Sequence, residues 1–126
     1  MKSKFIIVFA ISLLGLKTKA TVYNVGSLQT YKTIQSAINA SSNNDTVLVQ
    51  EGIYNENINF YGKSITVASL YLLDGNAMHA NMTQIQGTGT SSVVTFASNE
   101  DSTAALIGFA ILNGFSGYGG GIYCLN

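Results

Sequence analysis

The feature that most constrains this chain is how its β-forming residues are parcelled out. They come in short groups: TVLVQ at 46–50, NINF at 57–60, SITVAS at 64–69, TQIQG at 83–87 and SVVTFA at 92–97. ALIGFAILNG at 105–114 and GIYCL at 121–125 complete the set. Each is rich in Val, Ile, Thr or aromatics and is bounded by Gly, Asn, Asp or Ser clusters. Many short strands ordinarily suggest a sandwich or a barrel. The connections argue otherwise, because YGKS at 61–64 and GTGTSS at 87–92 suit hairpins but LYLLDGNAMHANM at 70–82 is too long and irregular. The groups also hold compact triplets (Val47-Leu48-Val49, Ile65-Thr66-Val67) rather than long alternating faces. Such triplets suit a solenoid, in which each coil gives two or three short strands and like positions stack into parallel sheets. The 18 residues from Val47 to Ile65 and the 22 from Ile85 to Ile107 each fit one loose coil.

One segment has a helical period. In TYKTIQSAINASSNN, Ile34, Ala37 and Ile38 fall at i, i+3 and i+4 and make one apolar face. Thr30 or Thr33 suits the N-cap, and the polar run from Ser41 to Asp45 ends the helix. At about three turns it is too short to stand alone and must lie against something apolar.

The first twenty residues differ from the rest. A basic MKSK, an apolar FIIVFAISLLGL and a KTKA with small residues at Thr18 and Ala20 make a secretory signal over 1–20. The apolar run falls short of the roughly 20 residues that span a bilayer, so no transmembrane span is expected in the mature chain. The expected destination is secretion or the cell surface. Residues 21–126 are then one domain, which keeps Lys32 and Lys63 against Asp45, Glu51, Glu56, Asp74, Glu100 and Asp101. Overall neutrality thus hides a mature net charge near −4, and there is no arginine. Two cations neutralise few phosphates, which argues against nucleic-acid binding. The single Cys124 cannot form an internal disulfide and reads as a small buried hydrophobe. With no proline, glycine and asparagine must mark the turns.

Against this background, the stretch YKTIQSAINASSNNDTVLVQEGIYNENINFYGKSITVAS resembles the opening of right-handed parallel β-helix proteins of the pectin-lyase-like superfamily, an opening shared with pectin methylesterases. LIGFAILNG followed by GGGIYC resembles secreted bacterial β-helix repeat proteins, where GGGIY recurs coil after coil. The resemblance covers roughly residues 22–126. It implies an all-β, right-handed parallel β-helix with a short N-terminal capping helix, of which only a few coils are present. It also implies that Gly52 allows a sharp turn between two sheets, with Glu56-Asn57 at the next corner. Asn57, Asn59, Asn76 and Asn113 are expected as turn or ladder amides. Ile65, Val67, Val93, Phe96, Ile107 and Ile111 are expected to stack in the interior. Ile122 and Cys124 are expected to face inward, opening a further rung and making the chain the front of a longer solenoid.

No residue set reads as a catalytic, cofactor or metal site. Enzymes of the superfamily rely on converging carboxylates, an arginine, or calcium; without arginine the lyase and methylesterase schemes are incomplete. Glu100-Asp101 is the only adjacent acidic pair and reads as a solvated loop in preference to a calcium site. Asp74 and His79 share the long loop at 70–82, a weak pairing for acid–base work. GYGGG lacks the lysine and helix of a phosphate cradle and reads as turn glycines. Seven tyrosines could stack on sugars, although half-burial along coil faces is the plainer reading. Three sequons, at Asn39, Asn44 and Asn81, bear on glycosylation.

Two functional readings follow. The first is an exported module with a surface, adhesive or polysaccharide-contacting role and no complete catalytic site. The second is the N-terminal piece of a polysaccharide lyase or carbohydrate esterase. The missing arginine favours the first. Expected partners are a polysaccharide, and continuation coils or self-association at the open C-terminal end; no cofactor is expected.

Overall fold

The computed structural model describes residues 19–125; the signal segment expected over 1–20 lies almost wholly outside the described residues. The order is β1 (Val22–Val25), α1 (Ile34–Ala40), β2 (Thr46–Val49), β3 (Gly52–Asn55), β4 (Ile58–Asn59) and β5 (Thr66–Ser69). Then come α2 (Tyr71–Asp74), α3 (Ala77–Met82), β6 (Thr83–Gln86), β7 (Val94–Phe96), β8 (Ala105–Ile107), β9 (Ala110–Leu112) and β10 (Ile122–Cys124). The strands form three sheets, ordered β1-β2-β5-β8, β3-β6-β9 and β4-β7-β10, and every pairing is parallel. From β2 onward the chain visits the first, second and third sheets in turn, three times over. The protein is thus β-rich, with parallel sheets and few helices.

Parallel register places like residues above one another, which builds the core in columns. Val47 pairs with Val67 and Val67 with Leu106 in the first sheet. Tyr54, Ile85 and Ile111 align in the second, and Ile58, Val94 and Ile122 in the third. Phe60 and Phe96 stack with ring centroids 4.1 Å apart. Val47, Val67, Ile85, Ile58 and Val94 are buried, and each large aliphatic side chain so placed contributes about 1.5–3 kcal/mol.

Helix α1 forms as its spacing requires: Ile34, Ala37 and Ile38 are buried, and Thr33 caps the start by accepting from the Ser36 N–H at 3.2 Å. It packs on β1, β2 and β4. Both ends are met by distant side chains. The Glu56 carboxylate accepts from the N–H groups of Ile34 (2.7 Å) and Gln35 (2.9 Å). The Lys63 ammonium donates to the carbonyls of Ile38, Asn39 and Ser41 at 2.6–2.9 Å. An anion at the N-terminus and a cation at the C-terminus both complement the helix dipole. The Gln35 amide completes the arrangement by accepting from Asn59 N–H at 2.7 Å and donating to Asn59 C=O at 3.1 Å, so it stands in for a neighbouring strand beside β4.

Three expectations change. The group at 105–114 is two strands, because Gly108 adopts φ +74° and turns the chain; a Cβ there would lie 2.6 Å from Ser69 Oγ. Ile107 pairs with Ala68, beside the inward column, and it is Leu106 that packs on the core. The loop at 70–82 is two short helices inserted between β5 and β6, where β2–β3 and β8–β9, the other passages from the first sheet to the second, turn in a couple of residues. Ile65, Val67 and Val93 are buried as expected, and Phe96 and Ile111 pack on the core.

Candidate functional site

The glycine-rich segment after β9 builds a wall. Gly114 approaches Gly120 so closely that a Cβ on Gly114 would overlap the Gly120 carbonyl, which closes 114–120 into a tight loop. The loop is pinned to the segment before β7 by Phe115 N–H donating to Ser91 C=O at 3.1 Å and by Val93 N–H donating to Gly120 C=O at 3.1 Å. Its tip is folded by Ser116 Oγ, which donates to Tyr118 C=O and accepts from Tyr118 N–H. These constraints leave Phe115 70% and Tyr118 81% exposed, far more than their apolar area alone would favour.

Facing this wall, Thr90, Ser91 and Ser92 supply hydroxyls, and Thr95 and Tyr123 form the floor. The floor follows from register: Thr95 of β7 pairs with Tyr123 of β10 on the row opposite the inward Ile58–Val94–Ile122 column. The opposing loop is held by Asn57, whose amide donates to Ser91 Oγ (2.6 Å) and Thr88 Oγ1 (3.1 Å) and accepts from Thr88 N–H (3.0 Å). The result is an open cleft of about 410 Å³ lined by the aromatic residues Phe115, Tyr118 and Tyr123 together with the hydroxyl residues Thr90, Ser91, Ser92, Thr95 and Ser116. Rings stack on apolar C–H faces, while Ser and Thr hydroxyls both donate and accept, which suits a polyhydroxylated ligand.

The other candidates resolve differently. Asp74 and His79 do come together, and Glu51 joins them. His79 Nδ1 lies 2.6 Å from Glu51 Oε1 and Nε2 lies 3.1 Å from Asp74 Oδ2. The hydrogen bond to Glu51, aided by Asp74, raises the imidazole pKa above its ordinary value. The hydrogen bond from Asn76 N–H, with His79 adding to it, lowers that of Asp74. An imidazolium whose two N–H groups both point at carboxylates has no free lone pair to serve as a base. It acts as a latch, tying the 70–82 insertion to the β2–β3 corner. Nothing in the sequence pairs Glu51 with His79, because 28 residues separate them.

Glu100 corrects the expectation of a solvated acidic loop. It is buried and accepts from Gly62 N–H at 2.8 Å and Ser98 N–H at 2.9 Å. Burial alone would raise its pKa, but these amides outweigh it and hold the carboxyl below its ordinary range. Asp101 is engaged locally by Thr103. Cys124, expected buried, is exposed at the end of the third sheet. It shares the row of Phe96, as Ile122 shares that of Val94, so both keep the inward register expected of them. A hollow of about 300 Å³ beside β3 contains Lys32 and Glu56. The ammonium of Lys32 is bonded to the Ser27 and Gln29 carbonyls, and Glu56 to the helix start.

Asn59 accepts from Tyr61 N–H, Asn76 caps α3 through Met78 N–H, and Asn113 is left-handed at φ +57°, so the turn role of these amides is realised. The tyrosines divide: Tyr54 is buried, Tyr23, Tyr31 and Tyr123 are half-buried, and Tyr61, Tyr71 and Tyr118 are exposed. The sequon residues Asn39, Asn44 and Asn81 are all exposed. No helix among the described residues is long and apolar enough to cross a membrane. Compared with known protein families, curated proteins and solved structures, the chain matches none.

Proposed function

We propose that this chain is an exported right-handed parallel β-helix module of pectin-lyase-like kind that contacts polysaccharide, with a surface or adhesive role. The solenoid reading is supported by the three-sheet cycle and in-register parallel pairing, in which each rung rests only on its neighbours. The functional reading rests on one observation, the cleft where Phe115 and Tyr118 stand exposed above the hydroxyls of Ser91, Ser92 and Thr95. Exposed rings held by a folded loop are pre-organised, so little ordering entropy is lost when a flat ligand docks. The alternative, the front of a polysaccharide lyase or esterase, has only the resemblance of the opening in its favour.

Titration of the protein with a panel of oligosaccharides, followed by NMR chemical shifts, tests the proposal. Shifts should concentrate at 90–95 and 115–123. Phe115→Ala and Tyr118→Ala should each weaken binding about tenfold while leaving the melting temperature unchanged. If no saccharide perturbs these residues, the reading fails.

A further inference from the structure

Resting on the glycan reading above, we infer that the cleft selects neutral polysaccharide and rejects polyuronates, the acidic polymers that the resemblance would suggest. Its polar lining consists of hydroxyls from Thr90, Ser91, Ser92, Thr95 and Ser116, with no charged side chain among the described residues that form it. The backbone N–H of Tyr118, which a carboxylate would seek, is already bonded to Ser116 Oγ at 3.1 Å.

The cations are placed elsewhere. Lys63 is held by three carbonyls at the end of α1, and Lys32 by the carbonyls of Ser27 and Gln29. Lys19 falls in the 1–20 segment that export removes, so it is no cation of the exported protein. Glu100 and Asp101 line a separate hollow with Phe96 and Cys124. A uronate carboxylate docked in the cleft would lose water without gaining a cation. A neutral hexose carries no charge to desolvate, and its C–H face covers Phe115 or Tyr118.

Affinity electrophoresis of the exported protein separates the outcomes. Gels contain a neutral β-glucan, a galactomannan or a galactan, or else polygalacturonate or alginate, with and without calcium. The expected result is retardation in at least one neutral gel, insensitive to added salt, and reduced about tenfold in Phe115→Ala and in Tyr118→Ala. Neither uronate should retard the protein. Retardation by a uronate that these variants abolish overturns the inference and leaves the glycan reading standing. Neutral retardation that survives both substitutions also overturns it, by placing the site elsewhere. Retardation in none of the gels overturns both.

Discussion

His79 illustrates how one side chain fixes an insertion. The 70–82 segment has little burial of its own, for neither α2 nor α3 contributes a buried residue. Its attachment runs through the imidazole, which lies between Glu51 of the β2–β3 corner and Asp74 of α2. Because the hydrogen bond to Glu51 and the pairing with Asp74 raise the pKa, the folded protein holds this proton more tightly than the unfolded chain. The latch is therefore complete below the ordinary value of 6.5 and is lost as pH rises through the raised folded value. Amide exchange in 70–82, corrected for its intrinsic base catalysis, should accelerate as pH rises from 6.5 through the raised folded value while β5 and β6 stay protected. His79→Gln should abolish that dependence. A pH-independent protection of the insertion in the wild-type protein would rule the latch out.

At the scale of the element, α1 shows what the sequence reveals and what it hides. The triplet Ile34, Ala37, Ile38 is legible because helical period is local, and the structure buries all three. The groups that hold the helix are not legible, because they arrive from afar: Glu56 is 22 residues from Ile34, Asn59 is 24 from Gln35 and Lys63 is 25 from Ile38. The same limit hid β3: GIYN at 52–55 is not among the β-type groups of the sequence, and it becomes a strand by pairing with Thr83–Gln86. It hid the cleft too, since nothing near Thr95 in sequence announces that Phe115 will stand across from it. The bracketing of α1 has a measurable consequence. Gln35→Leu removes the surrogate strand and leaves Asn59 N–H and C=O unpaired, which should cost about 1–3 kcal/mol in urea unfolding. Lys63→Met, which strips the Asn39 and Ser41 carbonyls of their donor and the Ile38 carbonyl of one of three, should cost as much. Lys32→Met, whose ammonium bonds only exposed loop carbonyls, should change stability by less than about 0.5 kcal/mol. Equal effects of Lys63→Met and Lys32→Met would contradict the assignment of Lys63 as the cap of α1.

For the whole molecule, the proposed solenoid predicts that position along the stack of parallel strands decides a residue's worth more than its type does. Ile85 and Ile122 are the same side chain, and each sits in an inward column, Ile85 between Tyr54 and Ile111, Ile122 above Val94. Ile85 has neighbours on both sides and no exposure; Ile122 has a neighbour on one side among the described residues and is 44% exposed. In a globular core, two inward isoleucines would be expected to matter comparably. In a one-dimensional stack, stability is close to a sum of nearest-neighbour terms, so the residue with two neighbours dominates. Ile85→Ala should cost about 2–5 kcal/mol, as cavity-forming core truncations do, and Ile122→Ala less than about 1 kcal/mol. Native-state hydrogen exchange should follow the same gradient, slowest in β2, β5 and β6 and fastest in β10. Exchange that is uniform from β2 to β10, or an Ile122→Ala variant as damaged as Ile85→Ala, would mean that the three sheets unfold as one globular core and not as stacked rungs.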